Sequence, residues 1–219
     1  AAAELVEAWA DRGAVLLGPA DLSTEGWVVA LPAPVDAGPG SFVAGGQRYE
    51  SAAISAVVVR LAHVDPVELV RVVEADRIYA ASEMTALLAH WLESLSARVV
   101  NRPSPAFLWG PGWSTEEWLT QAARVGLPTV DLERVPAAPP APLPPLTWAT
   151  VAGTRVVGGA AGGALDDGLQ ALAAAAGASF LAAGFTEVDG ARRLARVSLC
   201  PAVGEPVVRQ ALADLVFAA

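Results

Sequence analysis

Residues 134–146 hold six prolines in thirteen positions, a block that neither a helix nor an interior strand tolerates. Proline has no backbone N–H and fixes φ, so such a stretch is expected to run as an extended linker. The chain is thereby expected to fold as two parts, residues 1–133 and 147–219. Each is long enough for its own small core, and 54% hydrophobic residues against 17% charged supply the material for both.

The first part alternates helix and strand. A helix is expected over about residues 3–12, followed by a strand at Ala14-Val15-Leu16-Leu17. The Gly/Pro-rich patch at 31–40 leads to Gly45-Gly46, suited to a hairpin turn, and to a short strand at Gln47–Glu50. The β-branched run in ISAVVVRL predicts a buried parallel strand, and Asp65-Pro66 predicts a capped helix start. In SEMTALLAHWLESL, Met84, Leu87, Leu88, Trp91, Leu92 and Leu95 share one helical face, with Ser82 or a neighbour as cap. A short strand at Arg98–Val100 ends in the turn Asn101-Arg102-Pro103. Ser114 and Glu117 then make a capping box for a helix that stops at Gly126.

The second part reads as a hairpin turning at Ala152-Gly153, then an Ala-rich helix ending at Gly177. Two strands joined at Asp189-Gly190 follow, and a last helix runs from about Pro206 to Phe217.

Charge and composition exclude several functions. A net charge of −9 argues against a nucleic-acid partner, because phosphate backbones are held by a basic face. All 14 basic residues are arginine, so chemistry that needs a lysine, such as a Schiff base or a phosphate-loop lysine, is excluded. One cysteine, Cys200, and two histidines, His63 and His90, give no zinc cluster. Apolar runs are interrupted well before the roughly 18 to 20 residues of a membrane span. The acidic first helix lacks the features of a signal peptide, so a cytoplasmic location is expected.

The order GGQRYESAAISAVVVRL, ASEMTALLAHWLESL, VVNRP and AARVGLP resembles the N-terminal domain of RimK-like ATP-grasp ligases, particularly the peptide-tailoring branch. There the recurring arginine, glutamate and Asn-x-Pro turn correspond to Arg60, Glu83 and Asn101–Pro103. VAGTRVVGGA, LAAAAGASFLAAGF and RLARVSLCPAVG are similar to the family's C-terminal part. What the resemblance implies is an α/β chain. Its first part would be a pre-ATP-grasp-like open, mostly parallel sheet with flanking helices. Its second would be a truncated C-terminal α+β part with an antiparallel sheet.

Three departures fall where the family's chemistry lies. Its Asp, Glu and Asn metal ligands correspond to Gly184, Arg196 and Ser198, and Mg²⁺ needs hard oxygen ligands. The central lid subdomain is replaced by the proline block, and no lysine is present for the phosphates. The resemblance therefore implies a degenerate, non-catalytic homologue without cofactor, acting as an accessory, binding or scaffold subunit in peptide modification. The partner would be a second copy, an active ATP-grasp ligase or a peptide substrate. Two alternatives stay open. One is a carboxylate–amine ligase using ATP and Mg²⁺ that a partner chain completes. The other is a small-molecule-binding protein.

Arg60, Glu83, Asn101 and Arg102 are candidate ligand-binding residues at the carboxyl ends of parallel strands. Equally, Glu83 can cap or salt-bridge a helix start, and Asn101 can fix its turn. Trp109, Trp113 and Trp118 are candidate partner-binding residues, since tryptophan is enriched at interface hot spots. Against that, Trp113 can staple onto Trp118 while the loop packs on the core. Ser198 and Cys200 lack a nucleophile elbow and a nearby histidine, and Cys200 is expected as a buried strand-end thiol. The glycines of GGAAGGA lack phosphate-loop spacing and are expected to form a flexible strand end.

Overall fold

A computed structural model describes residues 2–29, 40–131 and 145–217, which form two compact units, Ala1–Gly110 and Pro111–Ala219. The expected boundary lay at 133, and most of the proline block, residues 134–144, lies outside the described residues, as does most of the patch at 31–40. The fold is mixed α/β, with a parallel sheet, antiparallel sheets and, among the described residues, six α-helices.

In the first unit, α1 (Ala2–Ala8) runs into a 3-10 turn at Ala10–Arg12. The strand expected at Ala14–Leu17 is not formed: these residues pair with nothing in a sheet, and Val15 and Leu16 are exposed. A four-residue apolar run without a neighbouring strand has no ladder to join. The short α2 (Pro19–Leu22) follows. Strands β1 (Ser41–Ala44) and β2 (Gln47–Glu50) form the expected hairpin, with Gly45 and Gly46 both at positive φ (57° and 76°). That pair of left-handed residues matches the twist of a two-residue hairpin. Asp21 ties the region together: its carboxylate accepts from Gly18 N at 2.9 Å and Gly46 N at 3.3 Å, and its carbonyl accepts from the Trp27 indole at 2.9 Å.

Strand β3 (Ala56–Val58) pairs in parallel with β4 (Arg98–Val100), and α3 (Arg77–Ser94) makes the crossover between them. α3 begins at Arg77, ahead of the expected cap; Ser82 lies inside it and its hydroxyl donates to Ile78 O at 3.1 Å. Asp65 does cap, accepting from Val67 N at 2.9 Å, but what it opens is a 3-10 turn of three residues, Pro66–Glu68. Most of the expected stripe is core: Leu88, Trp91, Leu92 and Leu95 are buried and Met84 packs against them, while Leu87 is only half-buried. Trp91 sits at the centre, 5.6 Å from Trp27 and 5.3 Å from Phe42 between ring centroids, with its indole N–H donating to buried Ser51 at 3.0 Å.

The second unit contains α4 (Thr115–Arg124), strands β5 (Thr147–Ala152) and β6 (Arg155–Gly158), and α5 (Ala164–Ala175). Strands β7 (Phe180–Val188) and β8 (Ala191–Ser198) and α6 (Pro206–Phe217) complete it. The strands form an antiparallel sheet in the order β6-β5-β7-β8. Its β8 edge is extended by Pro128–Val130 through Val130 N to Leu194 O at 2.9 Å and Leu194 N to Pro128 O at 2.7 Å. The β5–β6 turn falls at Gly153-Thr154, one residue later than expected, while Asp189 and Gly190 turn β7 into β8 with positive φ, as expected. Helix α4 packs against β8 and α5. Phe180, Leu181, Phe185, Leu169, Leu172 and Leu212 are fully buried in this core.

Candidate functional site

The carboxyl ends of β3 and β4 lie side by side, joined by Val59 N to Val100 O at 2.7 Å. Arg60 and Arg102 each lie two residues beyond the end of their strand. Asn101 is 2% exposed, and its side-chain amide donates to Trp109 O at 3.2 Å. It pins the 101–109 loop, which closes further through Ser104 N to Phe107 O and Leu108 N to Ala62 O, both at 2.8 Å. Arg102 and Glu83 are exposed. Glu83 lies in the second turn of α3 and so does not cap the helix start.

An open groove of about 390 Å³ lies beside these strand ends, between α3 and the loops 63–66 and 104–108. Its walls are His63, Ile78, Ala81, Thr85, Ala89 and Phe107 among others. Arg60, Glu83, Asn101, Arg102 and Trp109 are not among its lining residues. Thr85 shapes it by accepting from Val64 N at 3.0 Å while donating to Ala81 O at 2.7 Å. In the sequence these small α3 residues, at spacing four, read only as helix. The groove forms because the returning loop 104–108 stands off from them.

Trp109 belongs to the first unit and packs against its core; Trp113 and Trp118 belong to the second. Trp118 is only 6% exposed, and Trp113 meets it edge-on at 4.7 Å, 64° between planes. Their positions before and four residues into α4 are those of a hydrophobic staple, beside the reciprocal capping bonds of Ser114 and Glu117.

The residues that the resemblance matches to metal ligands come together on one sheet face. Gly184 pairs directly with Arg196, and Ser198 lies two residues further along β8 on the same side. Trp148 pairs with Gly184 from the other flank, giving a row Trp148–Gly184–Arg196 across three strands. A β-carbon on Gly184 would lie 3.0 Å from the Leu146 side chain and 3.1 Å from the Trp148 ring. A side chain at this position would crowd both neighbours, each of which would have to yield by a few tenths of an ångström. Ser198 Oγ accepts from Cys200 N at 3.2 Å, committing it locally, and Cys200 is half-buried rather than buried. Among the described residues no group of three or more His, Cys, Asp or Glu stands together to hold a metal. A cation at this face would meet the Arg196 guanidinium instead of a carboxylate, so the residues present do not fit Mg²⁺. The glycine segment 158–164 ends β6 and leads into α5, where Gly162 N donates to Asp166 at 2.7 Å. An acidic side chain occupies the place a phosphate would need.

No helix among the described residues is long and apolar enough to cross a membrane. No protein-family model and no curated protein matches the sequence. Solved structures do match. The macrocyclase MdnC bound with precursor peptide MdnA, from Microcystis aeruginosa MRC, is similar over 98% of this chain and 95% of that one, at 13% identity and a TM-score of 0.68. The ATP-grasp ligase PsnB, complexed with a phosphomimetic variant of a minimal precursor, Mg and ADP, is similar over 96% of this chain and 92% of that one, at 14% identity and a TM-score of 0.63. The macrocyclase MdnB, also from Microcystis aeruginosa MRC, is similar over 81% and 77% at 20% identity, with a TM-score of 0.52. At such identities the likeness is one of backbone, and the chain has the fold of an ATP-grasp ligase.

Proposed function

We propose that this chain is a non-catalytic ATP-grasp-like subunit that binds or scaffolds components of a peptide-modifying system. The observation that carries the proposal is the packing of Trp148 and Leu146 over Gly184, with Arg196 opposite. Where the resemblance places acidic and amide oxygens, this face has a glycine crowded by two apolar side chains and a fixed positive charge. Because the similar chains are matched over most of their length, the proposal rests on substituted side chains and not on a shortened lid. The degenerate C-terminal part would keep its sheet and helices because an apolar scaffold folds whatever its site does.

The fold's similarity to enzymes bound to precursor peptides supports peptide modification as the context. Arg60 and Arg102 are assigned to ligand contact at the strand ends, Asn101 to holding the loop, and Glu83 to the outer rim. Trp109 and Trp113, each partly exposed, are assigned to partner contact, and buried Trp118 to supporting Trp113. The test is size-exclusion chromatography of the full chain mixed with an active ATP-grasp peptide ligase and with that ligase's precursor peptide. A complex with either one, weakened by Arg102→Ala, is expected. Separate elution from both at tens of micromolar, roughly the weakest affinity a stable accessory subunit would show, contradicts the proposal.

A further inference from the structure

Strand β8 carries three of the chain's 14 arginines within five residues, Arg192, Arg193 and Arg196. Its register against β7 shifts between Gly184, which pairs with Arg196, and Phe185, which pairs with Leu194. Ala195 is therefore the extra residue of a β-bulge. Without it, residues three apart would point to opposite faces of the sheet. With it, Arg193 stands opposite Thr186 and Arg196 opposite Gly184, so both arginines share one face. Gly184 and Thr186 are about 7 Å apart along β7, which makes the two arginines direct neighbours. Ser198, opposite Ala182, continues the row, whereas Arg192, opposite Glu187, falls on the other face.

The groups left over in this row are donors. Arg193 is half-buried and held by one guanidinium bond, Nη1 to Thr129 O at 3.3 Å, while its Nε is buried with no acceptor. Arg196 is exposed and, among the described residues, makes no hydrogen bond or ion pair. Ser198 Oγ accepts from Cys200 N, which leaves its hydroxyl proton to donate. Glu187 and Asp189 of the same hairpin, and Asp131 beyond the segment that extends the β8 edge, form no ion pair with either arginine among the described residues. Two fixed positive charges and a hydroxyl without acceptors of their own are complementary to an oxyanion. We infer that the row Arg193–Arg196–Ser198 is a site for a phosphate or diphosphate group, held directly by guanidinium where the resemblance places metal ions. Guanidinium grips phosphoryl oxygens in bidentate fashion and stays charged at neutral pH, so no bridging dication is needed. Mg²⁺ works against such a site, because it takes the same oxygens and cancels the charge that the arginines attract. The site rests on the proposed function, under which this face holds no metal.

Calorimetric titration of the full chain with inorganic diphosphate in EDTA tests it, with ADP in EDTA as a second arm. Saturable one-to-one binding of diphosphate below about 1 mM is expected. Excess Mg²⁺ in place of EDTA should weaken it at least about 10-fold, the reverse of a site that holds phosphate through metal. Arg196→Ala should also weaken it at least about 10-fold, the effect of losing a charge-assisted hydrogen bond, and Arg196→Lys should weaken it less. The unfolding midpoint of Arg196→Ala should stay near that of the unmodified chain, since this side chain is exposed. Arg192→Ala removes the same charge from the other face and should change binding by less than about 3-fold. An ADP affinity within about 3-fold of that of diphosphate identifies the phosphoryl groups alone as what the site reads, and a tighter one identifies a nucleotide as their source. No saturable binding of diphosphate in either buffer overturns the site and leaves the proposed function standing. Binding that requires Mg²⁺ overturns both. Equal losses from Arg192→Ala and Arg196→Ala overturn the site too, because the attraction is then one of diffuse charge.

Discussion

At Gly184 a side chain would crowd the Trp148 ring and Leu146. The backbone there is outside the left-handed region, so the restriction comes from the Trp148 ring and Leu146 alone. Gly184→Ala should destabilise the chain by about 1–3 kcal/mol, as overpacking does. In a denaturant double-mutant cycle with Trp148→Ala, the pair should cost less than the sum of the singles, because the second change makes room for the first. Strict additivity would mean the indole does not fill that space. Asn101 behaves differently. Removing its amide takes away the donor to Trp109 O, and Asn101→Ala should cost about 1–3 kcal/mol in urea unfolding. Both residues were visible in the sequence, but for different reasons. Asn101 was readable as a turn residue, whereas the contact between Gly184 and Trp148 depends on a register between strands thirty-six positions apart.

Elements with a local signature were legible from end to end. The capping box of α4, the hairpin glycines 45 and 46 and the limits of α6 follow from short-range chemistry and appear where expected. Those set by tertiary contact were not. Ala14–Leu17 has strand composition without a strand to pair with, and α3 starts at Arg77 because the 3-10 turns before it hand the chain directly into a helix. Arg77 helps, donating through Nε to Val72 O at 3.0 Å. At this scale the staple of α4 is open to test. Ser114→Ala should lower stability by about 1 kcal/mol through loss of the cap. Trp113→Ala should lower it by a further roughly 0.5–1.5 kcal/mol, the size of an aromatic pair, in thermal or denaturant unfolding. If Trp113→Ala leaves stability unchanged but abolishes partner binding, its surface role dominates over the staple.

At the scale of the whole molecule, the chain divides into two units, each with its own core. The first has two parallel strands, with Arg60 and Arg102 each two residues beyond a strand end, and an open groove along α3. In the second, Leu146 and the Trp148 ring crowd Gly184 on the face that the ATP-grasp resemblance assigns to metal. The order of segments along the sequence was enough to suggest the fold, because each segment has its own turn or cap signal. The groove and the exposure of Val67, Val70 and Val73 were not foreseeable, since both arise from how the 63–76 and 104–108 loops settle on α3. Under the proposed function the chain holds no Mg²⁺-bound nucleotide. Calorimetric titration of the purified full chain with ATP in the presence of Mg²⁺ tests it most directly. The account predicts no saturable heat up to about 1 mM nucleotide, a range that would detect binding of roughly −4 kcal/mol or stronger. Saturable one-to-one binding of Mg²⁺·ATP below that concentration would contradict it.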